Sequence, residues 1–158
     1  MRLSGEFNAI LDERNRITLP AQLRKEMDSV SMKLARGEDN CLWLYTLDKW
    51  DELVADTLKE HTNPFSKIDR RLMRKFVGTS HEVEIDKAGR ILIPDNLREY
   101  AKLIKDCVVL GQLDYIEIWE KDCYNEYCNE DNEENANDFD EASENLSRSI
   151  KRKKGIID

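Results

Sequence analysis

The apolar residues of this chain come in short runs separated by polar turns, and the order of runs and turns occurs twice. In the first occurrence a strand ends near Leu11, a tight turn follows, and Ile17-Thr18-Leu19 forms a second strand before Pro20. The second occurrence has a strand ending near Ile85, with Glu82 and Glu84 as its outward positions, then a turn, Ile91-Leu92-Ile93 and Pro94. Each proline stands at the first position of a short helix, where a missing N–H costs nothing. Two further strands and a helix complete each copy, the helices beginning near Leu47 and near Lys121. The tryptophans at 43, 50 and 119 follow the apolar periodicity, which assigns them to packing.

Aligned directly, Asp12-Glu13-Arg14-Asn15-Arg16-Ile17-Thr18-Leu19-Pro20-Ala21-Gln22-Leu23-Arg24 matches Asp86 to Arg98 without a gap, with six of thirteen positions identical. The offset is 74, and at that offset Cys41 to Tyr45 falls on Tyr115 to Trp119 and Trp50 falls on Tyr124. A constant offset from residue 12 to residue 124 is the mark of a duplicated module. Asn15 in one turn corresponds to Gly89 in the other, the two residue types that best tolerate a positive φ. A module of so few strands is marginal alone, so the copies should pack together.

The boundaries that follow are a first module over residues 5–52, a connecting helical segment over 53–78, a second module over 79–128 and a tail over 129–158. In the connector, Asn63-Pro64 reads as an N-cap and first-turn proline opening a helix to about Val77. Phe65, Ile68, Leu72 and Phe76 form its apolar stripe, and Lys67, Arg70, Arg71, Arg74 and Lys75 its basic face. That face suits solvent or an acidic neighbouring subunit, with DNA contact as the lesser reading. The tail is polar and acidic, reads as disordered, and ends in Arg148 and Lys151-Arg152-Lys153-Lys154.

Composition narrows the classes. The 158 residues are 40% hydrophobic and 37% charged, in keeping with a soluble globular chain. The charged opening residues and the lack of any long apolar run lead us to expect a cytoplasmic protein with no membrane partner. The cysteines at 41, 107, 123 and 128 lack paired short spacing, and His61 and His81 are not placed to join them, so free thiols and no metal are expected. Cys107, ahead of Val108-Val109-Leu110, reads as a buried core thiol. The net charge of −8 speaks against nucleic acid until its distribution is considered. Eight acids and no base lie between Glu130 and Glu144, and the last 30 residues hold nine acids against five bases, leaving −4 over residues 1–128. Local clustering therefore decides the sign of any binding face.

The duplicated Asp-x-x-x-Arg turn followed by an apolar strand and proline, Asp12 to Pro20 and Asp86 to Pro94, resembles the MraZ family, whose chains carry two modules of the kind named after the AbrB and SpoVT regulators. The resemblance covers residues 1 to about 128. It implies a mainly β fold with flanking helices (α+β), an interleaved swapped-hairpin β-barrel made by two pseudo-symmetric halves. It also implies assembly into a ring-like homo-oligomer, nucleoid association, binding to double-stranded DNA without a cofactor, and transcriptional control of the bacterial division and cell-wall gene cluster. The family reads DNA with the hairpins of its Asp-x-x-x-Arg motif, which carries over to Arg14, Arg16, Lys87 and Arg90. Asn15 stands where the family usually has glycine, a change compatible with the same backbone.

Taken as residues, these arginines admit two readings. Arginine on a β-ribbon suits guanine in the major groove; alternatively, Arg16 and Arg90 brace their turns by pairing with Asp12 and Asp86. The resemblance favours DNA contact by the arginines, with Asp12, Asn15, Asp86 and Gly89 shaping the turns. Arg24 and Arg98, on the short helices, are candidate phosphate anchors or solvated surface residues. The competing class is an AbrB-like antitoxin or interaction protein whose acidic tail binds a partner. An enzyme is not expected: there is no glycine-rich phosphate loop, metal cluster or nucleophile with a base.

Overall fold

In the computed structural model, residues 2–129 and 133–155 are described. The chain divides into one unit over Met1–Lys121 and a second over Asp122–Asp158. In the first unit the elements follow the repeat. The first copy supplies β1 (Leu3–Ile10), β2 (Arg16–Thr18), α1 (Ala21–Met27), β3 (Ser31–Arg36) and β4 (Leu42–Thr46). The second supplies β5 (His81–Glu84), β6 (Arg90–Leu92), α5 (Asp95–Tyr100), β7 (Asp106–Leu113) and β8 (Ile116–Glu120). Between them lie α2 (Leu47–Asp51), a wide-turn π segment Glu52–Leu58, α3 (Lys59–His61), α4 (Lys67–Met73) and a second π segment Arg74–Gly78.

The strands form a six-stranded antiparallel sheet in the order β1-β7-β8-β4-β3-β5, and β2 pairs with β6 in a separate two-stranded ribbon. Each copy lends its first strand to the other: β1 pairs with β7, and β5 with β3. Exchanging the copies reverses the sheet order onto itself, so a pseudo-two-fold axis runs through the sheet and the ribbon. It crosses the β4–β8 pair at Trp43↔Glu117 and the ribbon at Ile17↔Ile91, both pairs separated by the repeat offset of 74. At the first crossing the two halves have diverged into a polar contact, the Trp43 Nε1 donating to Glu117 Oε2 at 3.0 Å.

Two features differ from the expectation. The sheet does not close into a barrel: β1 and β5 are its edges, and the first hairpin is joined to the ribbon through the isolated bridge Leu11↔Ile17. The Asp12 turn begins directly after Leu11, which leaves little strand to extend that pairing. The offset is also not constant. Met32 lies between Val83 and Thr46, and Cys107 lies between Ala9 and Glu120, so β7 sits one residue later than the repeat offset of 74 predicts. In a strand a one-residue shift moves every side chain to the other face. Taking the shift in the segment before β7 keeps Cys107 and Val109 on the core side.

Alternation distributes the side chains between two cores. Leu42 and Leu44 of β4, with Met32, Leu34, Val109, Ile116 and Ile118, face a main core completed by Ile17, Ile91, Leu23 and Leu97 from the ribbon, α1 and α5. The intervening residues Trp43 and Tyr45 point the other way, into a cluster with Trp50, Leu53, Val54, Val77 and Tyr115. Trp43 stacks on Phe76 at 5.5 Å between ring centroids. The thiols of Cys41 and Cys107 are buried, and none of the four cysteines is joined in a disulfide.

The connector departs from the pattern its sequence predicts. Ser66, not Asn63, caps α4, accepting from the Asp69 amide, while Asn63 caps the preceding turn through the Phe65 amide at 3.0 Å. Of the predicted apolar stripe, Phe76 is buried and Leu72 half-buried, but Phe65 is 90% and Ile68 79% exposed. The apolar residue that reaches the aromatic cluster comes from the last turn of the helix, so the first turns leave their apolar side chains in solvent.

At the boundary between the units, α6 begins at Lys121 as expected and runs Lys121–Asn129. Within the tail, whose composition reads as disordered, the described residues Glu133–Lys153 form α7. Its residues give the reason: no proline or glycine interrupts the run, acids fill its first half and bases its last turns, the arrangement that complements a helix dipole. The part of the tail expectation that covers 130–132 and 156–158 lies outside the described residues.

Candidate nucleic-acid interface

The two Asp-x-x-x-Arg turns are built alike. Asp12 Oδ1 accepts the Arg14 amide at 2.8 Å and the Arg16 amide at 2.9 Å, and Asp86 Oδ1 accepts the amides of Ala88 and Arg90, both at 2.9 Å. Backbone bonds close the loop, Asp12 N to Arg16 O at 2.8 Å and Asp86 N to Arg90 O at 2.9 Å. These turn amides, that of residue 16 or 90 first, hold both carboxyls below the ordinary carboxylate value. The aspartates thus act on the backbone.

The fourth turn residue has a positive φ in both copies, 60° at Asn15 and 79° at Gly89. That conformation does more than bend the chain. It aims the carbonyl of each turn at the opposite copy, where Ile93 N donates to Asn15 O at 2.8 Å and Leu19 N donates to Gly89 O at 2.9 Å. Each turn is therefore tied to the strand that leaves the other copy's ribbon. With Ile17 and Ile91 fully buried beneath, the ribbon is held as one rigid piece.

Its outer face follows from the same alternation. Ile17 and Ile91 point inward, so Arg16, Thr18, Arg90 and Leu92 point outward, with Arg16 across from Leu92 and Thr18 across from Arg90. The two arginines stand diagonally on one face. Arg14 and Lys87 lie exposed on the flanking turns.

The structure separates residues that the repeat equates. Arg90 Nε donates to Asp86 Oδ2 at 2.9 Å, so the bracing pair exists in the second copy. In the first copy Asp12 is engaged by the Arg16 amide. Arg24 leaves its own module: its guanidinium lies over Gly89, in the space a side chain there would fill. Arg24 therefore joins Lys87 and Arg90 around one turn. Arg98 pairs with Asp95 of its own helix at 3.3 Å. Two outward residues that the motif did not single out also belong to this face, Thr18 and the 55% exposed Leu92. Strand alternation about Ile17 and Ile91 was the signal for them.

Comparison with known proteins agrees with the duplicated architecture. The MraZ family model, described as "MraZ protein, putative antitoxin-like", matches residues 3–76 and again 76–146. The chain belongs to the MraZ family. The protein described as "Transcriptional regulator MraZ" from Treponema denticola is 39% identical over 144 residues, 91% of this chain and 96% of that protein. The two family matches meet at Phe76, between the copies that exchange their first strands. Among the described residues, no helix is long and apolar enough to cross a membrane, and no group of three or more His, Cys, Asp and Glu residues is placed to hold a metal ion.

Proposed function

We propose that this chain is a DNA-binding transcriptional regulator that presents the β2–β6 ribbon to the major groove. One observation carries the reading: the ribbon is fixed from beneath by Ile17 and Ile91 and directs Arg16 and Arg90 outward together. A two-stranded ribbon fits the major groove, and arginine recognises guanine there through paired donors. Thr18 and Leu92 add a hydroxyl and an apolar group suited to a thymine methyl. Arg14 and Lys87 flank the face, while Arg24 supports the second turn and adds positive charge for phosphate. Arg98 is the weaker phosphate anchor, being engaged by Asp95.

The function named for the Treponema denticola relative supports a regulator of transcription. The finer reading extends to the division and cell-wall gene cluster as target, action in the cytoplasm on the nucleoid, and a ring-like homo-oligomer that engages repeated sites. The exchanged strands support reading the two halves as an interleaved swapped-hairpin unit. The antitoxin-like character ascribed to the family favours one further reading, a protein that binds a partner through its acidic segment.

The test is genome-wide capture of bound DNA followed by fluorescence anisotropy on the recovered sites. Arg16→Ala should lose about 1 to 3 kcal/mol of affinity for a cognate site, with a smaller loss on unrelated duplex. Arg90→Ala should lose less DNA affinity and more thermal stability, because its side chain braces Asp86. Unchanged affinity in Arg16→Ala beside a lowered melting temperature would reject the base-reading role.

A further inference from the structure

The second unit holds a helix that neither the repeat nor the ribbon uses. Within α7, Ala142, Leu146 and Ile150 recur at four-residue spacing and therefore line one face. All three are exposed, Leu146 by 62% and Ile150 by 46%. A 21-residue helix of ordinary composition is marginal in water unless its apolar face is covered.

The charges indicate what covers it. Asp138, Asp140, Glu141 and Glu144 precede Leu146, and Arg148, Lys151, Arg152 and Lys154 follow it. The pattern is inverted about Leu146: each of these acids has a base at the same distance on the other side, 138 with 154, 140 with 152, 141 with 151 and 144 with 148. A parallel partner would set like charges together. An antiparallel copy centred on Leu146 sets the acidic half of each helix against the basic half of the other. The edges agree as well. At about 100° per residue, Asp138 and Arg152 border one side of the stripe and Asp140 and Lys154 the other. A two-fold axis through the pair brings the members of each border together.

We propose that α7 is a self-association element that pairs antiparallel with α7 of a second copy of this chain, with Leu146 facing Leu146. The pairing goes beyond the DNA-binding reading and does not depend on it.

Register-specific cross-linking of the full chain tests it, in a background carrying Cys123→Ser and Cys128→Ser. Leu146→Cys should form a disulfide-linked dimer under mild oxidation. Ala142→Cys should not, because its copy in the partner helix lies eight residues along, about 12 Å away and out of disulfide reach. The rates should differ at least about tenfold, since only one position faces itself. Mixing the Ala142→Cys chain with an Ile150→Cys chain should restore fast cross-linking between the two. Adding Lys151→Glu, Arg152→Glu and Lys154→Glu to Leu146→Cys should slow it severalfold while circular dichroism retains the β signal. Equal rates at 142 and 146 would overturn the antiparallel register. Leu146→Cys reacting no faster than a cysteine on the polar face, or linking to another segment of its own chain, would overturn the pairing itself.

Discussion

Asn15 and Gly89 occupy the same turn position with positive φ and send their carbonyls to the opposite copy in the same way. They are not interchangeable. A Cβ at Gly89 would collide with the Arg24 guanidinium from the first copy, so glycine is required there by what lies above it as well as by φ. Asn15 already carries its side chain. Asn15→Gly should therefore change stability by no more than about 0.5 kcal/mol, whereas Gly89→Ala should cost about 1 to 3 kcal/mol through strained φ and the displaced arginine. Urea unfolding of the two variants measures the contrast, and similar costs would contradict it. Burial acts on another residue in a similarly local way, raising the Cys107 thiol to about 11 and leaving it protonated as a small core residue.

At the scale of elements, the strands, the turns and the ribbon are legible in the sequence because period-two alternation and the Asp-x-x-Asn/Gly-Arg signature are local. The strand exchange rests on pairings between distant residues, and only the family resemblance points to it. The registry shift before β7 is hidden because the aligned motifs on either side of it keep the offset of 74. Arg24 is legible as a basic helix residue, but its place over Gly89 depends on how the copies dock. The helix of the tail is obscured because low hydrophobicity masks the ordering of its charges. The turns give this scale its own prediction. Their carboxyls sit below the ordinary value of 3.8, so the stability they contribute is complete above that value and is lost as pH falls through the folded-state values. Asp12→Asn with Asp86→Asn preserves an acceptor oxygen for the amides but removes the titration. In thermal melts from pH 5 to about 2, the wild type should lose more stability than the double variant. Parallel declines would assign acid sensitivity to other groups.

For the whole molecule, the question is how a chain with a net charge of −8 approaches a polyanion. The division into two units offers an answer. The ribbon and its turns collect Arg14, Arg16, Arg24, Lys87 and Arg90 in the first unit, where the turn amides engage the neighbouring aspartates. Half of the overall charge, −4, resides beyond residue 128. If phosphate binding belongs to the ribbon, ending the chain at Asn129 should leave the β-sheet spectrum and the melting temperature of the first unit essentially unchanged. It should also strengthen DNA binding at low salt, because the long-range repulsion from the acidic segment is removed. The slope of log affinity against log salt should stay the same, since it counts the phosphates neutralised at the interface and not the net charge of the protein. The basic end of α7 sets the opposing outcome. If Arg148, Lys151, Arg152 and Lys154 touched the DNA backbone, truncation would lower the slope by about one for each phosphate they had neutralised and would weaken binding at every salt concentration. Titrations of the full and shortened chains on the same duplex across a salt series separate the two. A reduced slope would move phosphate recognition from the ribbon to the tail, and with it much of the non-specific affinity.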